Sequence, residues 1–263
     1  MRWTGEPVNK MGVLDRSFVV ERNGESIPGC LWSPAAQAGP VPLILIGHGG
    51  RSEKRNPGGL ALARRLVRHE GFAAVAIDAV DHGERGPIRE SNLPAYENLW
   101  RRHDTFDRMN ADWSATLDAV IELPEIDPAR VGYWGLSMGT MLGLPFVASE
   151  PRIRAAVLGL CGFKGSSAKR GRFGDRHHAD APRINCPVMF FVQWDDELFD
   201  RDGAFELFDC LGTSDKRLHA HPGKHGEVPG EALDASREFL RSRLSGGIVA
   251  PKYPFPPADC VVG

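Results

Sequence analysis

The chain has 263 residues, of which 42% are apolar and 25% charged, and its formal net charge at pH 7 is −2. This length and composition are typical of a soluble globular protein, and we expect a single α/β domain over residues 1–263 with a large apolar core. The near-neutral charge argues against a nucleic-acid partner, charged residues in the first 20 positions argue against an export signal, and no apolar run approaches the ~20 residues of a membrane-spanning helix.

Short β-like runs alternate with longer helix-like segments, which favours an α/β fold with a mostly parallel central sheet and helices on both faces. Predicted strands cover residues 17–20, 27–32, 42–46, 73–77, 131–134, 155–158, 188–192 and 217–220. The last six are interpreted as central parallel strands, and the first two are typical of an antiparallel edge. Predicted helices cover residues 58–69, 104–123, 138–148, 202–211 and 229–244. In and just after the second helix, apolar residues near helical spacing predict one face packed on the sheet: Trp113, Leu117, Val120, Ile121 and Ile126.

Two segments, 84–103 and 163–183, fit neither a strand nor a core helix. Each follows a strand predicted to end near the site, so we expect them to lie over the carboxyl edge of the sheet as cap or lid excursions. The first is mildly basic, which usually marks a solvated face, with contact to a carboxylated substrate as the alternative. Its arginines are Arg85, Arg89, Arg101 and Arg102. The Pro/Gly-rich tail at 246–263 is expected to wrap the surface.

A Gly-His-Gly-Gly run at 47–50 directly follows the predicted strand 42–46. Such a flexible loop can bring a backbone N–H group beside a reacting carbonyl, where it stabilises developing negative charge. We predict that Gly50 supplies one donor of an oxyanion hole. A plain strand-ending turn, or a donor one residue away, is the alternative.

The strongest chemical signal is Gly-Leu-Ser-Met-Gly at 135–139, which follows a β-like run and precedes a small-residue helical stretch. This context is typical of a nucleophile elbow, in which small residues two positions before and after the serine permit a strained turn. Ser137 is therefore the predicted nucleophile, and the N–H group of Met138 at the helix start is the second oxyanion donor. The alternative is a glycine-rich turn with a capping serine.

A serine hydroxyl needs a base within hydrogen-bond reach, and nine histidines compete for that role. His225 is preferred because it lies in a loop after the last predicted strand. His219 and His221 are interpreted as packing or surface groups, and His48 and His82 as structural groups near the site. The pair His177-His178 with Asp180 has a weak metal-like spacing, for which a solvated loop is the favoured interpretation.

The carboxylate that orients the base should follow a strand between the nucleophile and the base. The strand 188–192 runs into three consecutive acids, of which we choose Asp196, with Asp195 and Glu197 as competitors. The chain order is then Ser137, Asp196, His225, as expected for this kind of strand-turn-helix nucleophile. This chemistry needs neither a metal nor an organic cofactor.

The five cysteines are odd in number and widely separated, with no C-x-x-C pair. They indicate reduced, mostly buried thiols and, with the absence of an export signal, a cytoplasmic protein. Cys161 follows an apolar run and is a candidate for lining a pocket.

With these residues in place, the chain resembles the α/β-hydrolase superfamily, and within it the dienelactone hydrolase-like and prolyl oligopeptidase-like esterases and peptidases, over about residues 27–244. The specific motifs are the Asp-Pro-Ala-Arg-Val-Gly run at 127–132 before the elbow, the 47–50 loop, and Asp-Ala-Val-Asp-His-Gly-Glu-Arg at 78–85. The resemblance implies an α/β-hydrolase fold with a sheet of about eight strands. Dienelactone hydrolases proper use a cysteine where this chain has Ser137, so the resemblance implies the fold and acyl chemistry rather than that substrate.

We therefore expect a serine hydrolase that cleaves a carboxylic ester or related acyl bond of a small molecule through an acyl-enzyme on Ser137. An acyltransferase, a thioesterase or a carbon–carbon bond hydrolase would use the same triad. A non-catalytic ligand-binding receptor is the alternative from another class. The sequence leaves the oligomeric state open, a homodimer included.

Overall fold

The computed structural model describes residues 1–88, 92–169 and 173–246. Within these ranges, nine strands form one sheet in the order β1-β2-β3-β5-β4-β6-β7-β8-β9. The strands are β1 (Arg2–Lys10), β2 (Val13–Arg22), β3 (Glu25–Pro34), β4 (Val41–Gly47), β5 (Ala73–Ile77), β6 (Ile126–Gly135), β7 (Ile153–Gly159), β8 (Val188–Gln193) and β9 (Lys216–His221). The helices are α1 (Pro57–Arg65), α2 (Leu93–Arg101), α3 (Thr105–Ile121), α4 (Met138–Ser149), α5 (Phe173–Asp180), α6 (Arg201–Cys210) and α7 (Gly230–Leu244).

The strand directions agree with the sequence prediction. Strands β4 to β9 pair in parallel, and β2 and β3 form an antiparallel edge that joins the parallel part through β5. The sheet has one strand more than the expected eight because β1, which the sequence pattern did not reveal, pairs with β2. Its residues are almost all exposed, so it lacks the alternation of buried and exposed positions that marks a strand in sequence.

Two apolar cores lie on opposite faces of the sheet, as expected for helices packed on both sides. Strand β4 shows the division, because Leu43 and Leu45 belong to one core and Ile44 and Ile46 to the other. The first core contains large buried apolar side chains of α3 and α4, and the second contains those of α1 and α7. The carboxyl ends of the six parallel strands meet at one edge, where loops can converge.

Several local predictions need correction. Ile126 does not extend the helical face but begins β6, because α3 ends at Ile121. The segment 84–103 contains α2, whose Leu99 and Trp100 are buried, so it includes a core helix after all. A helix this short buries only two residues, too few for its period to be visible in the sequence. The segment 163–183 contains α5, and residues 247–263 of the tail lie outside the described residues. None of the helices within the described ranges is long and apolar enough to cross a bilayer.

Candidate active site

Ser137 lies in the sharp turn between β6 and α4. Its backbone has a positive φ of 56° with a ψ of −121°, a conformation that residues with a side chain seldom adopt and that stores strain at a functional position. A β-carbon added at Gly135 would lie 2.7 Å from the carbonyl oxygen of Gly139, and one added at Gly139 would lie 2.6 Å from the carbonyl oxygen of Gly47. Both flanking glycines are therefore required by close backbone approach, as the elbow motif predicts.

The structure brings the three predicted triad side chains together. The Nε2 atom of His225 lies 2.7 Å from the Oγ atom of Ser137, and its Nδ1 atom lies 2.8 Å from the Oδ2 atom of Asp196. A carboxylate only accepts, so the imidazole proton sits on Nδ1 and Nε2 is free to accept the hydroxyl proton of Ser137. The arrangement has the geometry of a serine nucleophile with its general base.

The three consecutive acids at 195–197 differ in their contacts with His225. The Oδ1 atom of Asp196 accepts hydrogen bonds from the backbone N–H groups of Leu198 at 2.8 Å and Phe199 at 3.0 Å, which fixes the carboxylate under the imidazole. Asp195 is exposed, and Glu197 accepts from the backbone N–H of His225 rather than from its ring. The geometry thus favours the residue chosen from the sequence.

A buried glutamine holds the loop that carries His225. The Nε2 atom of Gln193, at the end of β8, donates to carbonyl oxygens of the loop at 2.9 to 3.3 Å, and the side chain is 1% exposed. Its acceptors belong to Pro222, Lys224 and Glu227. The sequence analysis missed this residue, although a polar side chain ending an otherwise apolar strand is a visible signal.

The two predicted oxyanion donors lie at the site. Gly50 lines the same cavity as Ser137 and His225, and Met138 is the first residue of α4, where helix N–H groups have no partner within the helix. Within the described part of the chain, neither backbone N–H group donates to a protein acceptor. Both groups are therefore available to an incoming oxygen.

A buried ion cluster ties the loop after β4 to the loop after β5. The Nζ atom of Lys54 lies 2.7 Å from Oδ2 of Asp78 and 2.6 Å from Oε1 of Glu84, and the Lys54 and Asp78 side chains are almost completely buried. Burial alone would lower the pKa of Lys54, but the hydrogen bonds to the two carboxylates outweigh it and raise that pKa. The 78–85 motif therefore supports the loop that carries Gly50. No sequence signal links Lys54 to this motif.

The cavity beside Ser137 has a volume of about 680 Å³. Its apolar and aromatic lining includes Leu93 and Tyr96 of α2, together with Phe199, Trp134 and Leu233. Among the described residues, Arg51 is its one permanently charged lining side chain. The expected contact of the 84–103 segment with the site is thus made by apolar and aromatic residues of α2.

The arginines of that segment do not line the cavity in the described part of the chain. Arg85 pairs with Asp112 at 2.7 Å, and Arg102 pairs with Asp81 at 2.8 Å. Arg89 lies outside the described residues. The pairing gives these two arginines a structural role.

Several of the other histidines considered from sequence pack against aromatic rings. His177 is fully buried in α5, where its Nε2 atom donates to the carbonyl oxygen of Met141 at 2.8 Å, and His178 stacks on Phe163. The segment is a helix rather than the predicted loop, and its buried residues are Phe173, His177 and Asp180. His178 is exposed to solvent, as expected. Burial lowers the pKa of His177 to about 4. His219, on β9, packs against Phe191 of the neighbouring strand β8.

The described cysteines are free thiols: Cys30, Cys161, Cys186 and Cys210. Cys161 lies in the core rather than on the cavity, and burial raises the pKa of its thiol. Among the described residues, no three or more His, Cys, Asp or Glu side chains are grouped to hold a metal ion.

The mostly parallel sheet, the strained serine turn and the Ser–His–Asp contacts together define a hydrolase of the α/β-hydrolase fold. The model of the dienelactone hydrolase family matches residues 27–226. The chain belongs to this family, and it is a serine hydrolase of the ester-cleaving class.

Solved structures agree with this assignment. A cold-adapted esterase from an Arctic intertidal metagenomic library, in its PEG-bound complex, is 39% identical with a TM-score of 0.82, over 93% of this chain and 100% of the esterase. Acetyl xylan esterase 1 from Thermoanaerobacterium sp. JW/SL YS485 is 18% identical with a TM-score of 0.72, over 92% of this chain and 87% of that one, and shows the shared fold. The comparison with curated protein sequences gives no significant match.

Proposed function

We propose that the protein hydrolyses small, uncharged carboxylic esters through an acyl-enzyme on Ser137. The observation that carries this proposal is the pair of contacts made by His225, 2.7 Å to the Ser137 hydroxyl and 2.8 Å to the Asp196 carboxylate. The esterase function of the 39% identical relative supports the same reaction.

In the proposed cycle, His225 accepts the Ser137 proton as Oγ attacks the acyl carbon, and Asp196 stabilises the resulting imidazolium. The N–H groups of Gly50 and Met138 bind the oxyanion of the tetrahedral intermediate. His225 then gives its proton to the departing alkoxide, which leaves as the alcohol. A water molecule activated by the same imidazole attacks the acyl-enzyme and releases the acid.

The cavity supports neutral substrates of modest size. Its volume of about 680 Å³ falls in the range of small-molecule sites, and its lining is predominantly apolar and aromatic. Desolvating a charged substrate there would be costly, with Arg51 as the only permanent charge among its described lining residues. The position of α2 supports its role as a cap over this cavity. A cytoplasmic location is part of the proposal, and the free thiols of the described cysteines support it.

The test is turnover of p-nitrophenyl acetate, butyrate and the anionic hemisuccinate by the wild type, Ser137→Ala and Ser167→Ala. Ser167 lines the same cavity but lies outside the triad, so its alanine variant is a matched control. Ser137→Ala should lose on the order of 10³-fold or more in kcat with an unchanged circular dichroism spectrum, whereas Ser167→Ala should stay within about threefold. Full activity in folded Ser137→Ala would contradict the proposed nucleophile, and preference for the hemisuccinate would contradict the substrate class.

A further inference from the structure

Two buried histidines that the proposed mechanism does not use flank the loop of Gly50. His48 precedes it in the loop after β4, and His82 lies in the neighbouring loop after β5; their side chains are 3% and 0% exposed. The two rings meet edge-on with centroids 5.2 Å apart. Each ring makes two hydrogen bonds to backbone groups of these loops.

The ring of His48 is held in one tautomer. Its Nε2 atom receives the backbone N–H of Ala79 at 3.0 Å, and because a backbone N–H can only donate, Nε2 carries no proton. The ring proton therefore lies on Nδ1, which donates to the carbonyl oxygen of Gly49 at 2.8 Å. Burial lowers the pKa of His48, which agrees with a neutral ring.

The ring of His82 shows the same pattern. Its Nε2 atom receives the backbone N–H of Arg51 at 3.3 Å, and its Nδ1 atom donates to the carbonyl oxygen of Val80 at 2.9 Å. Arg51 has a φ of 57°, in the left-handed region that a residue with a side chain seldom occupies. The hydrogen bond that the Arg51 N–H donates to His82 holds the peptide that leads into this unusual conformation.

These contacts fix both peptide planes around Gly50. The carbonyl of Gly49 and the N–H of Gly50 belong to one planar trans peptide and point in opposite directions, so holding the first directs the second. The N–H of Arg51 belongs to the next peptide. With both planes held, the Gly50 donor cannot turn without breaking a hydrogen bond to a buried ring.

We propose that His48 and His82 are positioning residues that aim the Gly50 N–H at the oxyanion formed on Ser137. His48 acts by donating to Gly49, and His82 acts by accepting from Arg51. The inference rests on the proposed function, because the oxyanion exists only if Ser137 attacks an acyl carbon.

Conservative substitutions separate the two hydrogen bonds of each ring. The amide nitrogen of an asparagine can take the place of Nδ1, and the amide oxygen of a glutamine can take the place of Nε2. For His48, asparagine keeps the donor to Gly49, so His48→Gln should lose ~10²-fold in kcat and His48→Asn less than about tenfold. For His82 the order should reverse, because glutamine keeps the acceptor for Arg51 and asparagine does not. KM should change by no more than about threefold in all four variants.

His219→Gln is the matched control, since it replaces a half-buried histidine on β9 away from the site, and it should leave kcat unchanged. A crossed order at the two positions supports the proposal. The proposal would be overturned if the same substitution, asparagine or glutamine, gave the larger loss of kcat at both positions. It would also be overturned if the two substitutions at each position gave equal losses, or if all four variants were fully active. If wild-type turnover does not depend on Ser137, the proposed function itself fails; a Ser137-dependent enzyme without the crossed order rejects the positioning role alone.

A second measurement uses the wild-type chain and stays informative if a variant does not fold. In uniformly ¹⁵N-labelled protein, the ring nitrogens of His48 and His82 can be assigned through couplings across their hydrogen bonds to the Ala79 and Arg51 amides. Both rings should carry the proton on Nδ1 and none on Nε2 at neutral pH. A protonated Nε2 on either ring would refute the arrangement.

Discussion

The Nε2 atom of His225 lies 2.7 Å from the Oγ atom of Ser137, although 88 residues separate them in the chain. The contact exists because β6 and β9 end at the same edge of the sheet, so the turn after one strand and the loop after the other converge. Every other element of the site, from Asp196 to the loop of Gly50, reaches this edge in the same way.

Asp196→Asn should reduce kcat by on the order of 10³- to 10⁴-fold with little change in KM. The carboxylate accepts from His225 on one oxygen and from two backbone N–H groups on the other, and an amide cannot accept at both positions. The imidazole would then be held in the wrong tautomer. The control is Asp195→Asn, because Asp195 is an exposed neighbour, and its kcat in steady-state kinetics should be close to that of the wild type. Equal losses of kcat in the two variants would contradict the orienting role of Asp196.

Gln193→Met should lower both stability and turnover. The substitution leaves carbonyl oxygens of the His225 loop without their buried donor, which costs ~1–3 kcal/mol in the free energy of unfolding and loosens the base. Urea titrations should show the lower free energy of unfolding, and steady-state kinetics should show the lower kcat. Gln37→Met is the control, because Gln37 is exposed and, among the residues that the structure describes, makes one long hydrogen bond, of 3.5 Å. A wild-type kcat in Gln193→Met would show that the loop holds His225 without this residue.

Gly50→Ala should reduce kcat by ~10²-fold, since a displacement of about 1 Å in a catalytic donor has effects of that size. Its β-carbon would lie 2.6 Å from the hydroxyl oxygen of Tyr96, so either the loop or α2 must move. Gly49→Ala is the neighbouring control, because a β-carbon there meets nothing within 4 Å. Tyr96→Ala should restore part of the activity when combined with Gly50→Ala, and additive losses in the double variant would contradict the steric explanation.

His177 should make the protein less stable in acid. Its pKa is about 4 in the folded protein because of burial, against 6.5 for an ordinary histidine, so the unfolded chain binds a proton over this interval that the folded chain does not. Above pH 6.5, neutral His177 contributes about 3 kcal/mol to the free energy of unfolding. This contribution declines as the pH falls below 6.5 and is lost as the pH falls through 4.

Removing this titrating group should flatten the pH dependence. His177→Gln keeps a donor for the carbonyl of Met141 but cannot bind a proton. Urea unfolding between pH 7 and pH 4 should therefore show about 3 kcal/mol less loss of unfolding free energy in the variant. Parallel curves for the two proteins would assign the acid sensitivity to other groups.

The central strands and the serine turn were predictable because their signals are local. Strand β5 is a continuous apolar run, and the elbow around Ser137 carries its own steric requirement in two glycines. Gly50 and Met138 followed from the same local motifs, and the structure leaves both N–H groups available, although their role stays a prediction.

The partners of the supporting residues could not be found in this way, although Gln193 is recognisable as a polar residue that ends an apolar strand. Lys54 meets Asp78 across 24 residues, and Gln193 meets Glu227 across 34, so no local pattern records either contact. Strand β1 was missed because an exposed edge strand has no apolar period, and α2 because it buries only Leu99 and Trp100. Such contacts form only after the fold has brought the distant loops together at one edge of the sheet.

The most direct test of the account is to locate the nucleophile by covalent labelling. The wild-type protein is treated with a fluorophosphonate, and the modified residue is identified by mass spectrometry of proteolytic peptides. The account predicts one adduct, on Ser137, formed far more slowly in Asp196→Asn. Labelling of a different residue, or none in active protein, would contradict it.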